Sequence, residues 1–267
     1  MSTSKGTVLI TGASSGIGAT YADRFAARGH DLIVVARNNE HLAALATRLG
    51  ATHGVRVEAL AADLTDRAGL TMVEKRLTTD ESITHLVNNA GFGAVSPLVA
   101  SHVDEMERMV AVNVVAPMRL AYAAVPRFLA RGKGTLINIS SIVAIGPEIL
   151  NGVYGATKSF VLALSHSLRK ELEGTGVHVQ VVLPGATGTA FWNVAGLPVR
   201  SLPKEWVMPV TDLVDAALAG LDLGEYATIP SLQDIGEWEA WEAARQIMLP
   251  HLSSAEFADR YRPSATA

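Results

Sequence analysis

The stretch Thr11-Gly12-Ala13-Ser14-Ser15-Gly16-Ile17-Gly18 stands between the apolar run Thr7–Thr11 and the helical pattern Ala19–Arg28. A protein that binds a diphosphate needs close backbone approach, N–H donors and the positive end of a helix dipole. Glycines at a strand-to-helix turn supply all three, although such turns also occur where a helix simply sits close to a strand. The spacing is Gly-x-x-x-Gly-x-Gly, unlike the commonest dinucleotide fingerprint, Gly-x-Gly-x-x-Gly. Its place in the first βα unit predicts a dinucleotide site.

Short apolar runs alternate with helical segments along the rest of the chain. The runs are nearly continuous, as expected for strands covered on both faces. This alternation predicts an α/β fold, a doubly wound Rossmann-type parallel sheet of about seven strands with right-handed crossovers. The strand candidates are Thr7–Thr11, Asp31–Ala36, Val55–Ala59, Ile83–Asn88, Thr135–Ser140, Val177–Leu183 and Ala227–Ile229. The helix candidates include Ala19–Arg28, Glu40–Leu49 and Phe160–Leu172.

The end of the second strand bears on which dinucleotide is bound. An acidic residue there would hydrogen-bond the adenosine ribose, whereas an arginine would accept a 2′-phosphate. Arg37 follows the strand, and the first acidic residue after it is Glu40. Arg37 could instead be a solvated residue at a helix start. The pattern favours NADP(H) as cofactor, with NAD(H) possible.

Polar residues also follow the third and fourth strands. Asp63 stands in Ala62-Asp63-Leu64, and Asn88-Asn89-Ala90-Gly91 ends the fourth strand. Ligands of open α/β sheets bind at the carboxyl ends of the strands, so both groups fall on the expected rim. Alternatively, Asp63 caps the helix that begins near Asp66, and the asparagines satisfy turn backbone.

A helix opening with Tyr154-Gly155-Ala156-Thr157-Lys158 carries the candidate acid–base group. Residues four apart share a helix face, so the phenol and the ammonium can point into the same space. Interconverting a carbonyl and an alcohol by hydride transfer requires a proton donor or acceptor. A phenol with a pKa of ~10 is a poor base at neutral pH, and a nearby lysine lowers that pKa. Such a pair also arises by coincidence in many helices.

The preceding strand places a serine near this pair. It ends in Asn138-Ile139-Ser140-Ser141, and Ser141 stands thirteen residues before Tyr154. A hydroxyl there could hold the substrate oxygen while the phenol transfers its proton. The two serines could equally form a turn.

Taken together, these motifs resemble the short-chain dehydrogenase/reductase family in its single-domain form. The resemblance covers roughly residues 5–190, and the order and spacing of the motifs make it specific. It is carried by Thr11–Gly18, Asn88–Gly91, Ser141, Tyr154-x-x-x-Lys158 and Pro184-Gly185.

The resemblance implies a role for each matching residue. It implies Tyr154 as general acid–base, Ser141 rather than Ser140 as the group orienting the reacting oxygen, and Lys158 as ribose ligand and pKa-lowering neighbour. Asn113 matches a helix asparagine that supports a water and proton relay. The matching cofactor-contacting positions are Gly12, Ser14, Ser15, Gly16, Ile17, Gly18, Arg37, Asp63, Leu64, Asn89, Ala90, Gly91, Tyr154 and Lys158, and on the nicotinamide side Pro184, Gly185, Thr187 and Thr189.

Two positions depart from the family pattern. Thr84 replaces the usual aspartate before the Leu-Val-Asn-Asn run, and Thr187 replaces an aliphatic residue. The first is expected to alter a structural hydrogen bond and the second a contact to the carboxamide. Neither removes a group that the chemistry needs.

Composition narrows the functional class. The 267 residues include no cysteine, and the net charge is −4, so thiol chemistry is excluded and a nucleic-acid surface is not expected. The eight histidines show no metal-ligand spacing, and no metal is expected. Met1–Gly6 does not resemble a signal peptide, and no apolar run approaches the ~20 residues of a membrane span. A cytoplasmic enzyme is expected, and the resemblance implies a homodimer or homotetramer.

The segment after the sixth strand is expected to shape the substrate site. We predict one domain over residues 1–267, with residues 186–210 as a substrate flap and residues 231–267 as a C-terminal extension. The apolar residues of the flap and of the segment before Tyr154 favour a hydrophobic, fairly bulky ketone, aldehyde or alcohol, although they could equally pack the flap against the body. These residues are Phe191, Trp192, Leu197, Trp206 and Met208, with Val143, Ile145 and Leu150.

Other functional classes share this fold. A redox-inactive dinucleotide-binding regulator would not need the proton-transfer set of Ser141, Tyr154 and Lys158. A sugar-nucleotide epimerase or dehydratase generally has a larger C-terminal substrate domain. An enoyl reductase would place the lysine further from the tyrosine.

Overall fold

The computed structural model describes residues 5–262 of the chain. Residues 1–4, which belong to the N-terminal segment judged not to be a signal peptide, lie outside the described residues. Two compact units make up the chain, one ending at Ser231 and the other beginning at Leu232. The organisation predicted from the sequence, one domain over residues 1–267 with a flap at residues 186–210 and an extension at residues 231–267, stays a prediction.

The first unit is built on seven parallel strands in the order β3-β2-β1-β4-β5-β6-β7. This is the doubly wound Rossmann-type sheet that the alternating pattern predicts. The order reverses between β1 and β4, and the crevice outside the carboxyl ends of these two strands is where such sheets bind ligands. The strands are β1 (Thr7–Thr11), β2 (Asp31–Ala36), β3 (Val57–Ala61), β4 (Ile83–Asn88), β5 (Gly134–Ile139), β6 (Val177–Val182) and β7 (Ala227–Thr228).

Helices cover both faces of the sheet. On one face α1 packs against α2 and α8, and on the other α5 packs against α3 and α6 packs on β5 and β6. The helices of the first unit are α1 (Gly16–Ala27), α2 (Asn39–His53), α3 (Arg67–Thr79), α4 (Val103–Val110), α5 (Ala116–Arg131), α6 (Gly152–Glu171), α7 (Phe191–Ala195) and α8 (Val210–Asp222). The second unit contains α9 (Ile235–Met248), on which the Trp238 and Trp241 rings stack with centroids 4.9 Å apart.

Strand β3 begins two residues later than the apolar pattern predicts. Gly54 ends α2 in the left-handed conformation (φ +68°), a backbone state that glycine adopts without steric cost. Arg56 then binds Asp31 through its backbone N–H (2.9 Å) and its guanidinium. Residues 55–56 therefore connect α2 to the sheet, and pairing with β2 starts at Val57.

The continuous helical stretch Val103–Arg131 is long and apolar enough, by length and composition, to cross a membrane. It is also a core element of the first unit, because Leu120, Ala124 and Phe128 are buried in the domain. Two of its arginines bind neighbouring elements: Arg119 pairs with Glu74 on α3, and Arg131 donates to the Ile83 carbonyl oxygen (2.8 Å). A buried core helix satisfies the same length and composition criterion.

Thr84, the first departure from the family pattern, lies at the start of β4. Its hydroxyl donates to the Thr7 carbonyl oxygen (3.4 Å) and lies 2.8 Å from His85 Nδ1. A Cβ atom at position 6 would lie 2.5 Å from Thr84 Oγ1, so Thr84 packs closely on Gly6. A neutral hydroxyl thus joins β1 to β4 at this point.

Candidate active site

The glycine loop lies between the end of β1 and the start of α1, as its motif predicts. Gly12 and Gly16 both have positive φ (66° and 55°), which glycine adopts without steric cost. A Cβ atom at Gly12 would lie 2.8 Å from Ala90 Cα, and one at Gly18 would lie 2.5 Å from Asn89 Nδ2. Ser15 is the N-cap of α1, but its side chain accepts no hydrogen bond from the first turn of the helix. The N–H groups of that turn therefore have no capping acceptor from Ser15.

Asn89 and Thr11 join the carboxyl ends of β1 and β4. The Asn89 amide donates to the carbonyl oxygens of Thr11 (2.9 Å) and Gly12 (3.1 Å). The Thr11 hydroxyl accepts from the backbone N–H groups of Asn89 and Ala90, both at 3.0 Å. Asn89 thus shapes the glycine loop through its amide nitrogen.

Arg37 and Asp63 lie at the ends of β2 and β3, where the adenosine end of a dinucleotide is expected. Arg37 is exposed, and Asn38 after it caps α2 by accepting from the His41 N–H (3.0 Å). Asp63 accepts from the Thr65 N–H (2.9 Å) and hydroxyl (2.8 Å). Partial burial raises the pKa of Asp63, but the Thr65 hydrogen bonds and the charge of Arg37 outweigh it and leave the pKa below its usual value.

Tyr154 and Lys158 are both buried on α6, which begins where Asn151 caps the N–H groups of Val153 and Tyr154. The Lys158 ammonium lies 5.9 Å from the Tyr154 ring centroid and donates to the Ile139 carbonyl oxygen (2.9 Å). Burial lowers the pKa of Lys158 to about 8. Burial raises the pKa of Tyr154 to about 12, against a smaller lowering by its hydrogen bond to Ser141.

The expected lowering of the Tyr154 pKa by Lys158 is therefore not seen in the chain alone. Burial disfavours the phenolate more strongly than the neighbouring groups favour it. The chain by itself holds Tyr154 as a protonated phenol, the form that donates a proton.

The two serines after β5 have different partners. The Ser140 hydroxyl donates to the Lys158 carbonyl oxygen (2.8 Å) and so joins β5 to α6. The Ser141 hydroxyl donates to the Pro184 carbonyl oxygen (3.3 Å) and is close enough to the Tyr154 phenol to lower its pKa. The geometry thus brings Ser141, not Ser140, to the phenol.

Asn113 lies in a π-helical turn, Ala111–Val115, between α4 and α5. Its amide pairs with the backbone of Phe92, accepting from the N–H (3.2 Å) and donating to the carbonyl oxygen (2.9 Å). It also donates to the Thr157 hydroxyl (3.0 Å). These contacts hold the loop after β4 against α6, and the water and proton relay implied for Asn113 stays a prediction.

A small pocket brings cofactor and acid–base candidates together. Its lining includes Thr11, Leu64, Ala90, Asn113 and Lys158. Gly91 lies beside it, because a Cβ atom there would be 2.7 Å from Asn113 Oδ1 and 3.7 Å from Lys158 Nζ. A side chain at position 91 would displace the Asn113 amide and would contact the Lys158 ammonium.

The loop after β6 closes the opposite side of the site. Pro184 accepts from the Ile142 N–H (3.0 Å), and the buried Thr187 hydroxyl donates to the Gly185 carbonyl oxygen (3.1 Å). Thr189 reaches the glycine loop, since a Cβ atom at Gly16 would lie 3.3 Å from Thr189 Cγ2. The residues predicted for the nicotinamide side therefore lie next to those predicted for the diphosphate.

Two sets of interacting residues were not identified from sequence. Phe92 and Thr157 are the partners of Asn113, and Thr157 could have been suspected because it shares a helix face with Tyr154. Asn88, Asn138 and Ser165 form a buried chain of hydrogen bonds across β4, β5 and α6 (3.0 and 2.9 Å). Their spacing along the chain gives no sign of this contact.

Comparison with known proteins identifies the same family that the sequence motifs resemble. A family model described as short chain dehydrogenase matches residues 6–196. A short-chain dehydrogenase from Sphingobium yanoikuyae, solved in complex with NADPH, is 51% identical, covers 96% of this chain and 100% of its own, and superposes with a TM-score of 0.94. The bulky-bulky ketone specific alcohol dehydrogenase from Comamonas testosteroni is 45% identical, with 98% and 100% covered and a TM-score of 0.90.

A further relative, matched by sequence, is named as a reductase. Sulfoacetaldehyde reductase 2 from Chromohalobacter salexigens is 36% identical over 188 residues, which is 69% of this chain and 73% of that protein. The seven-stranded parallel sheet agrees with these matches. The chain belongs to the short-chain dehydrogenase/reductase family of oxidoreductases.

Proposed function

We propose that the chain interconverts a ketone or aldehyde and an alcohol with NADP(H), with Tyr154 as the general acid–base. The observation that carries this proposal is the buried Tyr154 phenol, whose pKa the Ser141 hydroxyl lowers and whose ring centroid lies 5.9 Å from the Lys158 ammonium. A regulator that only senses the dinucleotide would have no use for a buried proton donor in contact with an orienting hydroxyl.

The described residues fit a dinucleotide. Gly12, Gly18 and Gly91 let the segments of the loop pack closely, since a Cβ atom at each would lie within 2.8 Å of another protein atom. The N-terminus of α1 offers N–H donors to a diphosphate. Lys158 and Asn113 border the same pocket, where the nicotinamide ribose would be held. The preference for NADP(H) is supported by the exposed Arg37 after β2 and by the NADPH complex of the Sphingobium yanoikuyae relative.

The side chains divide the chemistry among them. Reduced nicotinamide, when bound, supplies a hydride to the carbonyl carbon. The Ser141 hydroxyl donates to the carbonyl oxygen and orients it, and Tyr154 Oη gives that oxygen its proton. The Lys158 cation favours the tyrosinate that results. In the reverse direction, Tyr154 accepts the proton of the alcohol.

A hydrophobic substrate is supported by the walls around the phenol. Tyr154, Met109 and Val143 form a buried apolar cluster, and Phe92, Leu150 and Phe191 are among the residues that pack against it. The bulky ketone named for the Comamonas testosteroni relative supports the same class.

A homodimer or homotetramer is supported by an apolar stripe along α4 and α5. Val110, Val115, Met118, Tyr122 and Leu129 are between 37% and 84% exposed on this continuous helical stretch. A second copy of the chain would bury them. Light scattering of the wild type and of Tyr122→Glu would test this. A cytoplasmic location stays a prediction of the sequence.

The test of the proposed function is reduction of a panel of ketones and aldehydes with NADPH and, separately, with NADH. We expect NADPH consumption with apolar ketones and its loss in Tyr154→Phe. Equal turnover of one carbonyl by both proteins would overturn the role of Tyr154. Activity restricted to small charged carbonyls would overturn the substrate class.

A further inference from the structure

Gly93 and Phe191 meet directly beside the Tyr154 phenol. A Cβ atom at position 93 would lie 2.5 Å from Phe191 Cζ and 3.1 Å from Tyr154 Cε2. The Phe191 and Tyr154 rings are 5.6 Å apart at a 45° tilt. The absence of a side chain at position 93 therefore allows the Phe191 ring to lie against the phenol.

The position of Phe191 is held from two sides. Trp192 Nε1 donates to the Thr187 carbonyl oxygen (2.9 Å), and the Trp192 ring meets the Phe191 ring edge-on at 5.5 Å. The Ala195 carbonyl oxygen, at the end of α7, accepts from the Val95 N–H (3.2 Å). Helix α7 is thus tied both to the loop after β6 and to the loop that carries Gly93.

The side chains that pack around Phe191 and Tyr154 are apolar. Met106, Met109, Leu150 and Val153 belong to the same cluster as Tyr154 and Phe191. Methionine side chains adapt to irregular shapes and make favourable contacts with aromatic rings. A flat apolar substituent on the reacting carbonyl would therefore be accommodated here, whereas a charged one would lose its hydration without a partner.

We infer that Phe191, seated against Gly93, sets the size of the substituent accepted next to Tyr154, and that the substrates are ketones carrying an aryl-sized apolar group. This inference rests on the proposed carbonyl reductase function. Phe191 acts as a wall of the substrate site, and Gly93 acts through Phe191 as a positioning residue.

The test compares acetophenone with hexyl phenyl ketone, using the full chain and NADPH, as the ratio of their kcat/KM values. Phe191→Ala should shift this ratio at least about tenfold toward the larger ketone, since a few methylene groups in an apolar pocket change specificity by that order. Phe191→Leu should shift it less, in the same direction. Val194→Ala, on the exposed side of the same helix, is the matched control and should leave the ratio unchanged.

A double-mutant cycle tests the link between Gly93 and Phe191. Gly93→Ala should lower kcat/KM for the larger ketone at least about tenfold, because its Cβ forces the ring to move. In the Phe191→Ala background the same change should have little effect, since the Cβ enters space that the ring has left. NADPH binding, followed by fluorescence, shows that each variant has an assembled cofactor site.

The outcomes separate the two proposals. An unchanged ratio in Phe191→Ala and Phe191→Leu, with ketones still reduced, would overturn the inference and leave the proposed function intact. An equal Gly93→Ala effect in both backgrounds would overturn the action of Gly93 through Phe191. Binding of NADPH without reduction of any ketone by the wild type would overturn the proposed function, and the inference with it.

Discussion

The Lys158 ammonium lies 5.9 Å from the centroid of the Tyr154 ring, and both residues are less than 10% exposed. Burial has opposite effects on their pKa values, raising that of Tyr154 to about 12 and lowering that of Lys158 to about 8. Both shifts favour the neutral forms, because burial penalises charge. The chain therefore holds a proton-donating phenol beside a lysine whose charged form is disfavoured by burial. The tyrosinate left after proton transfer would stabilise that charge.

Replacing Tyr154 with phenylalanine should strongly reduce turnover while the protein stays folded. The change removes the proton donor and keeps the ring, so kcat should fall roughly 10²- to 10⁴-fold. The measurement is NADPH consumption with a ketone that the wild type reduces. A kcat within a few-fold of the wild type would contradict the proposed acid–base role.

Tyr21→Phe provides the matched control. Tyr21 is fully buried on α1, and its hydroxyl has no hydrogen-bond partner among the described residues. Removing this unpaired polar group should raise the free energy of unfolding by roughly 1 kcal/mol and leave turnover unchanged. Urea denaturation measures the first effect, and a loss of stability would indicate a missed partner of the hydroxyl.

Lys158→Met should lower turnover and raise the free energy of unfolding. The folded-state pKa of about 8 lies below the usual 10.5, so the cost of burying the ammonium is fully present below pH 8 and disappears toward pH 10.5. The variant should therefore exceed the wild type in free energy of unfolding at pH 7 by up to about 3 kcal/mol, at ~1.36 kcal/mol per pKa unit.

Urea denaturation at pH 7 and pH 9.5 checks this stability effect. The advantage of Lys158→Met should shrink at the higher pH, because the wild-type lysine is then mostly neutral in the folded state. NADPH affinity and turnover should both fall. A variant less stable than the wild type at pH 7 would show that the hydrogen bond to Ile139 outweighs the burial cost.

Arg37→Ala should weaken the preference for NADPH. If the exposed guanidinium binds the 2′-phosphate, KM for NADPH should rise roughly 10- to 100-fold, the usual effect of losing a charged hydrogen bond. KM for NADH should change little, since NADH lacks that phosphate. Lys170→Ala removes the same charge from the last turn of α6 and should change neither constant. A parallel rise in both constants would contradict the assignment.

The buried His85 should make the fold sensitive to acid. Burial, reinforced by the charges of His30 and Lys133, lowers its pKa from 6.5 to about 3. Between pH 6.5 and 3, His85 is therefore protonated in the unfolded chain but neutral in the folded chain. The free energy of unfolding consequently decreases as the pH falls from 6.5 toward 3. Between pH 6.5 and 4.5 the loss from this group should be roughly 2 kcal/mol.

His85→Phe tests this pH dependence. The phenyl ring does not titrate and can keep the ring contacts with Phe25 and His30, whose centroids lie 5.5 and 4.9 Å from that of His85. The fall in unfolding free energy between pH 7.5 and 4.5 should shrink by about the same ~2 kcal/mol. His41→Gln, an exposed control on α2, should leave the fall unchanged. An unaltered acid response in His85→Phe would point to another group.

Much of the fold follows from local sequence patterns. The continuous apolar runs predicted β1, β2 and β4 with their observed bounds, because strands covered on both faces must be apolar throughout. Strand β3 was misplaced by two residues, since Gly54 and the Arg56–Asp31 contact decide where pairing starts. The turn at Gly54 depends on backbone conformation, and the Arg56–Asp31 contact depends on a residue twenty-five positions away.

The candidate site was also predictable in part. Spacing brought Tyr154 and Lys158 to one helix face, and it selected Ser141, which the structure brings to the phenol. The pairing of Asn113 with Phe92 and Thr157 joins segments twenty-one and forty-four residues apart, so no local pattern reveals it. The direction of the Tyr154 pKa shift was likewise inaccessible, because it depends on how many side chains surround the ring.

Read from the sequence alone, the alternating apolar runs determined the fold class, while the glycine loop and the Tyr154-x-x-x-Lys158 motif predict the dinucleotide site and the acid–base group. These rest on backbone geometry and helical period, which are local. The tertiary structure decided that Phe191 lies against Gly93 and Tyr154, three segments that are distant along the chain. Substrate size depends on how side chains from such segments pack, and packing is a property of the folded chain.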